Sequence, residues 1–275
     1  MSPAGRYSGQ WKPSVPEDSP LLVFRFLISL VNIMAKPASG KIVLFFLVAV
    51  LVAGGCATTK SEDKVQKASA HYQLGVSYLN DNNIQPAFVE FQKALELNPD
   101  DKEVLNGIGV IYLLKLEDPP RAVEYFQRAL RVDKNFSEAS NNLGFAYEKM
   151  GRHDDAVAAY RAALSNPLYR NAEKAFNNLG RAYYRMKKYP EALDAYREAL
   201  KRSSDFHLPY YGLALCFNAV GRYGDAATAL KKALDMDPNY RGNRDKAISD
   251  MREKKLLLRG DDERDIEDLL EIMNY

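Results

Sequence analysis

Two cysteines in 275 residues, Cys56 and Cys216, leave neither a disulfide framework nor a thiolate cluster for zinc. The three histidines, His71, His153 and His207, are scattered, so no His-x-x-x-His pair exists. Neither Cys-x-x-Cys nor an Asp-x-Asp-Gly loop offers a metal-ligand set. The Gly-x-Ser-x-Gly elbow and the phosphate-cradling Gly-Lys-Ser/Thr loop are also absent. Adjacent acids such as Asp154-Asp155 and Asp261-Asp262 fall at helix starts, where they favour the helix dipole. They are not the buried, opposed pair that acid–base catalysis needs. A large charge of one sign is missing too. Five basic residues (Arg6, Lys12, Arg25, Lys36, Lys41) and two acidic ones (Glu17, Asp18) precede Cys56, and the rest of the 38 basic and 36 acidic residues balance to within one charge. No catalytic residue, cofactor, metal, nucleic acid or small-molecule substrate is expected.

What is present is repetition. A helix-pair signature occurs five times at intervals of about 34 to 36 residues. It reads Leu74-Gly75, Tyr78, Ala87, Phe91, Ala94 and Pro99; then Ile108-Gly109, Tyr112, Ala122, Phe126 and Ala129. Next come Leu143-Gly144, Tyr147, Ala156, Tyr160 and Ala163, and Leu179-Gly180, Tyr183, Ala192, Tyr196 and Ala199. A weaker fifth copy reads Leu213-Ala214, Phe217, Ala226, Leu230, Ala233 and Pro238. Small residues at the crossings let two helices approach, and the aromatic residues fill the space between them. Gly151 and Gly221 suit helix C-caps, and Pro86 and Pro190 suit the starts of second helices. The segments Glu117-Asp118-Pro119-Pro120 and Pro167 to Asn171 are expected to lengthen turns. The pattern resembles the tetratricopeptide repeat. It implies an all-α solenoid of about five repeats, 68–101, 102–136, 137–172, 173–206 and 207–240, followed by a capping helix and short tail helix in 241–275. Residues 243–258 are expected to form the cap. Asp262 is expected to N-cap a final helix with Ile266, Leu269, Leu270 and Met273 on one side. Cys216 is expected as a buried thiol.

The N-terminal region reads as an address. Residues 42–53 form an apolar run shorter than the ~20 residues a spanning helix needs. Lys36 and Lys41 precede it, and Ala53-Gly54-Gly55-Cys56 ends it. That ending resembles a bacterial lipobox, although the family prefers leucine where Ala53 stands. The resemblance implies a signal peptide at 34–55, acylation of Cys56 and, with Ala57 following rather than aspartate, anchoring at the periplasmic face of the outer membrane. Residues 57–67 read as a polar tether. Residues 1–33 are expected to be an upstream mis-start or an extended leader.

A solenoid of this kind offers a groove for another chain. Aligned repeats place Tyr72, Asn106, Asn141, Asn177 and Tyr211 at one position of the five first helices, with Asn142 and Asn178 beside two of them. Phe145, Arg181 and Tyr184 lie further along. Asparagine both donates and accepts, so a row of amides suits an extended backbone. The tyrosines offer rigid contact area, and Arg181, Arg185 and Lys174 would meet an acidic group. An acylated cysteine, a tether and five or six such repeats together resemble the type IV pilus pilotins, especially with Asn141-Asn142-Leu143-Gly144 and the turn at Asn166-Pro167. That resemblance implies a lipoprotein that binds secretin subunits in its groove and promotes their outer-membrane targeting and multimer assembly. The alternative is a general envelope scaffold organising peptidoglycan or export machinery.

Overall fold

The computed structural model describes residues 63–274. The signal peptide, Cys56 and the segment 1–33 lie outside the described residues. The residues expected as a tether are helical from 63 onward, since the first helix, α1, covers 63–80. It is followed by α2 (Ile84–Leu97), α3 (Lys102–Leu114), α4 (Pro119–Val132), α5 (Ser137–Lys149) and α6 (His153–Leu164). The chain continues through α7 (Ala172–Arg185), α8 (Tyr189–Arg202), α9 (Leu208–Ala219) and α10 (Tyr223–Met236), and ends with α11 (Arg244–Leu257) and α12 (Asp261–Ile272). Among the described residues there is no strand, and no helix is long and apolar enough to cross a membrane.

The first four helix pairs close on the same contact. The second-helix aromatic is driven against the first-helix glycine because only hydrogen leaves room for the ring. A Cβ on Gly144 would lie 2.6 Å from the Tyr160 ring, and one on Gly109 would lie 2.5 Å from Phe126. Phe91, Phe126 and Tyr160 are fully buried as a result, which stabilises by about 2–3 kcal/mol each relative to exposure. The same rings also meet the following repeat where it supplies a second glycine. Phe91 packs on Gly107, and Tyr196 lies between Gly180 and Gly212. Gly107 and Gly212 fall outside the repeated signature, so the signature alone does not reveal that the wedge continues from one repeat to the next.

The turn inside every repeat contains one residue in the left-handed region: Asn82, Glu117, Gly151, Lys187 and Gly221, with φ of 58°, 50°, 72°, 58° and 74°. This conformation lets the chain reverse after α5, where the amide of Arg152 reaches the carbonyl of Tyr147 at 2.9 Å. The turn of repeat two is one residue longer than the others, 115–118 against three residues such as 150–152, but Pro119 and Pro120 themselves lie beyond it. They are the first two residues of α4, where a missing N–H costs nothing, and the Asp118 side chain accepts from the Arg121 amide at 3.1 Å.

The C-terminal helices divide the work of closing the array. On α11, Ala247 and Met251 are buried and Ile248 is half-buried. The helix α12 lies against α9, α10 and α11 and buries Leu269 and Ile272. Its N-cap is Gly260 rather than Asp262. Asp262 sits within the first turn, and its carboxylate is turned onto Arg185 at 2.7 Å.

Candidate functional site

The first helices α3, α5, α7 and α9 stand side by side, and the residues expected to line the groove are found along them. The asparagines bind one another. Nδ2 of Asn142 donates to Oδ1 of Asn106 at 3.0 Å, and Nδ2 of Asn178 donates to Oδ1 of Asn141 at 3.2 Å. Successive repeats are thus stitched by amide pairs. Asn177 is withdrawn, with 8% of its surface exposed. The row is therefore a structural seam first. The half-buried amides of Asn106, Asn141, Asn142 and Asn178 keep part of their bonding capacity.

The charged candidates are also engaged within the chain. Arg181 donates to both carboxylate oxygens of Glu148, Nε at 2.5 Å and Nη2 at 3.1 Å, and the Tyr160 hydroxyl donates to the same group at 2.9 Å. Glu148 thereby ties α5 to α6 and α7. Burial opposes the charge on Arg181, yet the Glu148 carboxylate wins and raises its pKa. The Phe145 ring is flanked by the Arg181 guanidinium at 5.3 Å and the Lys149 ammonium at 5.4 Å. Its half-buried face belongs to the open part of the surface. Arg185 is already paired within the chain, because α12 supplies Asp262 and Asp265, each at 2.7 Å.

The tyrosines separate into two sets. Tyr72 leans on Phe91, with ring centroids 5.9 Å apart, and stays half-buried at the open end. Tyr211 donates to Asp237 at 3.0 Å, and burial followed by that carboxylate pushes its pKa up. Tyr184 lies beside Tyr189 with centroids 5.9 Å apart, and its pKa is raised by burial and then by Asp265 and Asp268 of α12. The fourth- and fifth-repeat tyrosines are thus held by the chain itself, unlike the free anchors expected for them. The open stretch runs from Tyr72 through Asn106 and Asn141 to Phe145.

Cys216, fully buried on α9, is removed from chemistry. Burial and then the nearby Asp265 push its thiol up to about 12. With Cys56→Ala leaving it as the single thiol, modification at pH 8 is expected to run roughly a thousandfold slower in the native chain than in denaturant, because access requires opening. Timed thiol titration reads this directly. Among the described residues no cluster of metal-ligating side chains is present.

The family follows from these helix pairs and their matches. Models described as tetratricopeptide repeat match residues 68–101, 103–136, 136–205 and 177–241. The chain belongs to the tetratricopeptide-repeat family. Among tetratricopeptide relatives, it is 31% identical over 134 residues to the type IV pilus assembly protein PilF of Pseudomonas aeruginosa, covering 46% of this chain and 52% of that one. It is 34% identical over 90 residues to the photosystem I assembly protein Ycf3 of Parasynechococcus marenigrum, covering 32% and 51%. The chain spans about half the length of the curated relatives it matches. The crystal structure of PilW, described as a widely conserved type IV pilus biogenesis factor, superposes with a TM-score of 0.61 at 22% identity, over 75% of this chain and 93% of PilW. At that identity the shared property is the tetratricopeptide fold.

Proposed function

We propose that this chain is a non-enzymatic lipoprotein of type IV pilus biogenesis. In this reading it is acylated at Cys56 and held at the periplasmic face of the outer membrane. It binds secretin subunits through the first-helix face and promotes their assembly into the multimer. The observation that carries the reading is the similarity to PilF, joined to an open surface from Tyr72 to Phe145 of the kind that receives a protein segment. The lipid would supply the address. Confinement at one membrane face raises the local concentration, so a groove of modest affinity suffices.

A second reading, a general envelope scaffold for peptidoglycan or export machinery, is favoured by the similarity to Ycf3, since repeats at comparable identity serve a different assembly. Capture from detergent-solubilised membranes, with the acylated chain as bait and mass spectrometry as readout, separates the two. The pilus reading expects secretin as the dominant prey. It also expects Phe145→Ala to lower that yield about tenfold or more, the effect of removing a central aromatic anchor. Cell-wall enzymes as dominant prey would replace the pilus reading with the scaffold.

A further inference from the structure

The terminal helix is joined to the array in an unusual way. Of its twelve residues seven are acidic (Asp261, Asp262, Glu263, Asp265, Glu267, Asp268, Glu271) and one is basic, Arg264, which pairs with Asp261. Its apolar hold is confined to one side, with Leu269, Ile272 and the adjoining Met273 buried and Ile266 and Leu270 half-buried. The attachment at its other end is electrostatic. Arg185, whose side chain is 11% exposed, is gripped by two carboxylates one helical turn apart. Crowded like charge opposes the seating, because burial and then Asp265, Glu271 and Glu267 raise the pKa of Asp268. The linker is exposed and is spanned by an ion pair, Lys255 to Glu267 at 2.6 Å. Gly260 adopts φ +69° with open space around it, and Leu256 and Leu257 before it are 75% and 84% exposed.

These features describe a seat and a removable occupant. The seat is apolar at the fifth repeat, where Leu230 and Leu234 share a buried cluster with Ile272, and cationic at the fourth, where Arg185 stands. We propose that α12 is an internal stand-in for a partner helix, and that this half of the groove receives from the partner an acidic amphipathic helix with carboxylates one turn apart. The inference rests on the reading of the first-helix face as the partner-binding surface, and it names the chemistry of what binds at one end of it. The partner would first engage the open stretch from Tyr72 to Phe145. Its acidic helix would then exchange with α12 at Arg185. A tethered helix competes at an effective concentration of roughly millimolar order, so a free helix binds only weakly until the tethered one is loosened.

The test uses a fluorescent peptide of residues 260–275 as the probe and the detergent-solubilised full chain as the receptor, read by anisotropy. Asp262→Lys with Asp265→Lys reverses the hold on Arg185 without touching the seat. This double variant is expected to bind the peptide at least about tenfold more tightly than the wild type, because its own helix competes poorly. Adding Arg185→Gln is expected to remove that gain. Circular dichroism confirms that each variant stays folded. Equal binding by wild type and double variant, or a gain that survives Arg185→Gln, would overturn the proposal. So would dimers of the wild type formed by exchange of α12 between copies, seen by light scattering, which would make a second copy the occupant. Capture of the partner that still depends on Phe145 in any of those cases would leave the binding surface standing and remove only the exchange.

Discussion

Tyr196→Ala is expected to lose about 3–5 kcal/mol of unfolding free energy, the range for deleting a buried aromatic side chain. The ring is 3% exposed and lies between Gly180 of its own repeat and Gly212 of the next, so its removal opens the junction of two repeats at once. The accompanying glycine gives the decisive comparison. In the intact protein Gly212→Ala forces a methyl into the ring and is expected to cost about 1–3 kcal/mol despite alanine's better helix propensity. In the Tyr196→Ala background the ring is gone, and the same change is expected to be neutral or stabilising. Urea unfolding of the two single variants and the double variant measures this coupling. Additive losses would mean that the ring and the glycine do not meet as the structure places them.

The second large effect concerns Arg181. Replacing it with alanine leaves the Glu148 carboxylate, 10% exposed, with the Tyr160 hydroxyl as its remaining side-chain partner in the cluster. Breaking a buried pair costs about 3–5 kcal/mol. The Arg181 side chain is 35% exposed, so a loss of about 2–3 kcal/mol is expected. Arg181→Lys keeps the charge but loses the fork that spans both oxygens, and is expected to recover less than half of it. Arg181→Gln with Glu148→Gln removes both charges and is expected to cost less than the sum of the single changes. A loss below about 0.5 kcal/mol for Arg181→Ala, the range of surface substitutions, would return Arg181 to the set of residues free to bind a partner.

These two cases mark what the sequence discloses and what it withholds. The Leu-Gly and aromatic positions repeat at a fixed interval, and periodicity is the imprint of close packing. The helix pairs and most of their core are therefore legible before any coordinates. Cross-repeat partners leave no such imprint. Glu148 and Arg181 are 33 residues apart, and Arg185 and Asp265 are 80 apart, and nothing local announces either pair. The Asn141-Asn142 and Asn177-Asn178 strings signal a polar row, but only the register between helices decides that two of those amides turn to their neighbours. The seating of α12 was the least legible feature. Its apolar stripe, Ile266, Leu269, Leu270 and Met273, is evident, while the fate of its acidic face depends on an arginine five helices earlier in the chain. The longer turn of repeat two is legible from the segment at 117–120, but the boundary is not, since a proline after an aspartate cap begins a helix as readily as it extends a turn.

The proposed role of the open face of the array is to assist assembly of a secretin at the outer membrane. It is tested most directly by measuring, in the native host, the fraction of secretin recovered as outer-membrane multimer, with the gene for this chain deleted and then restored as wild type, Cys56→Ala or Phe145→Ala. The account predicts that multimer falls sharply on deletion, returns with the wild type, and does not return fully with either variant although both accumulate. Multimer at the wild-type level in the deletion strain would contradict it.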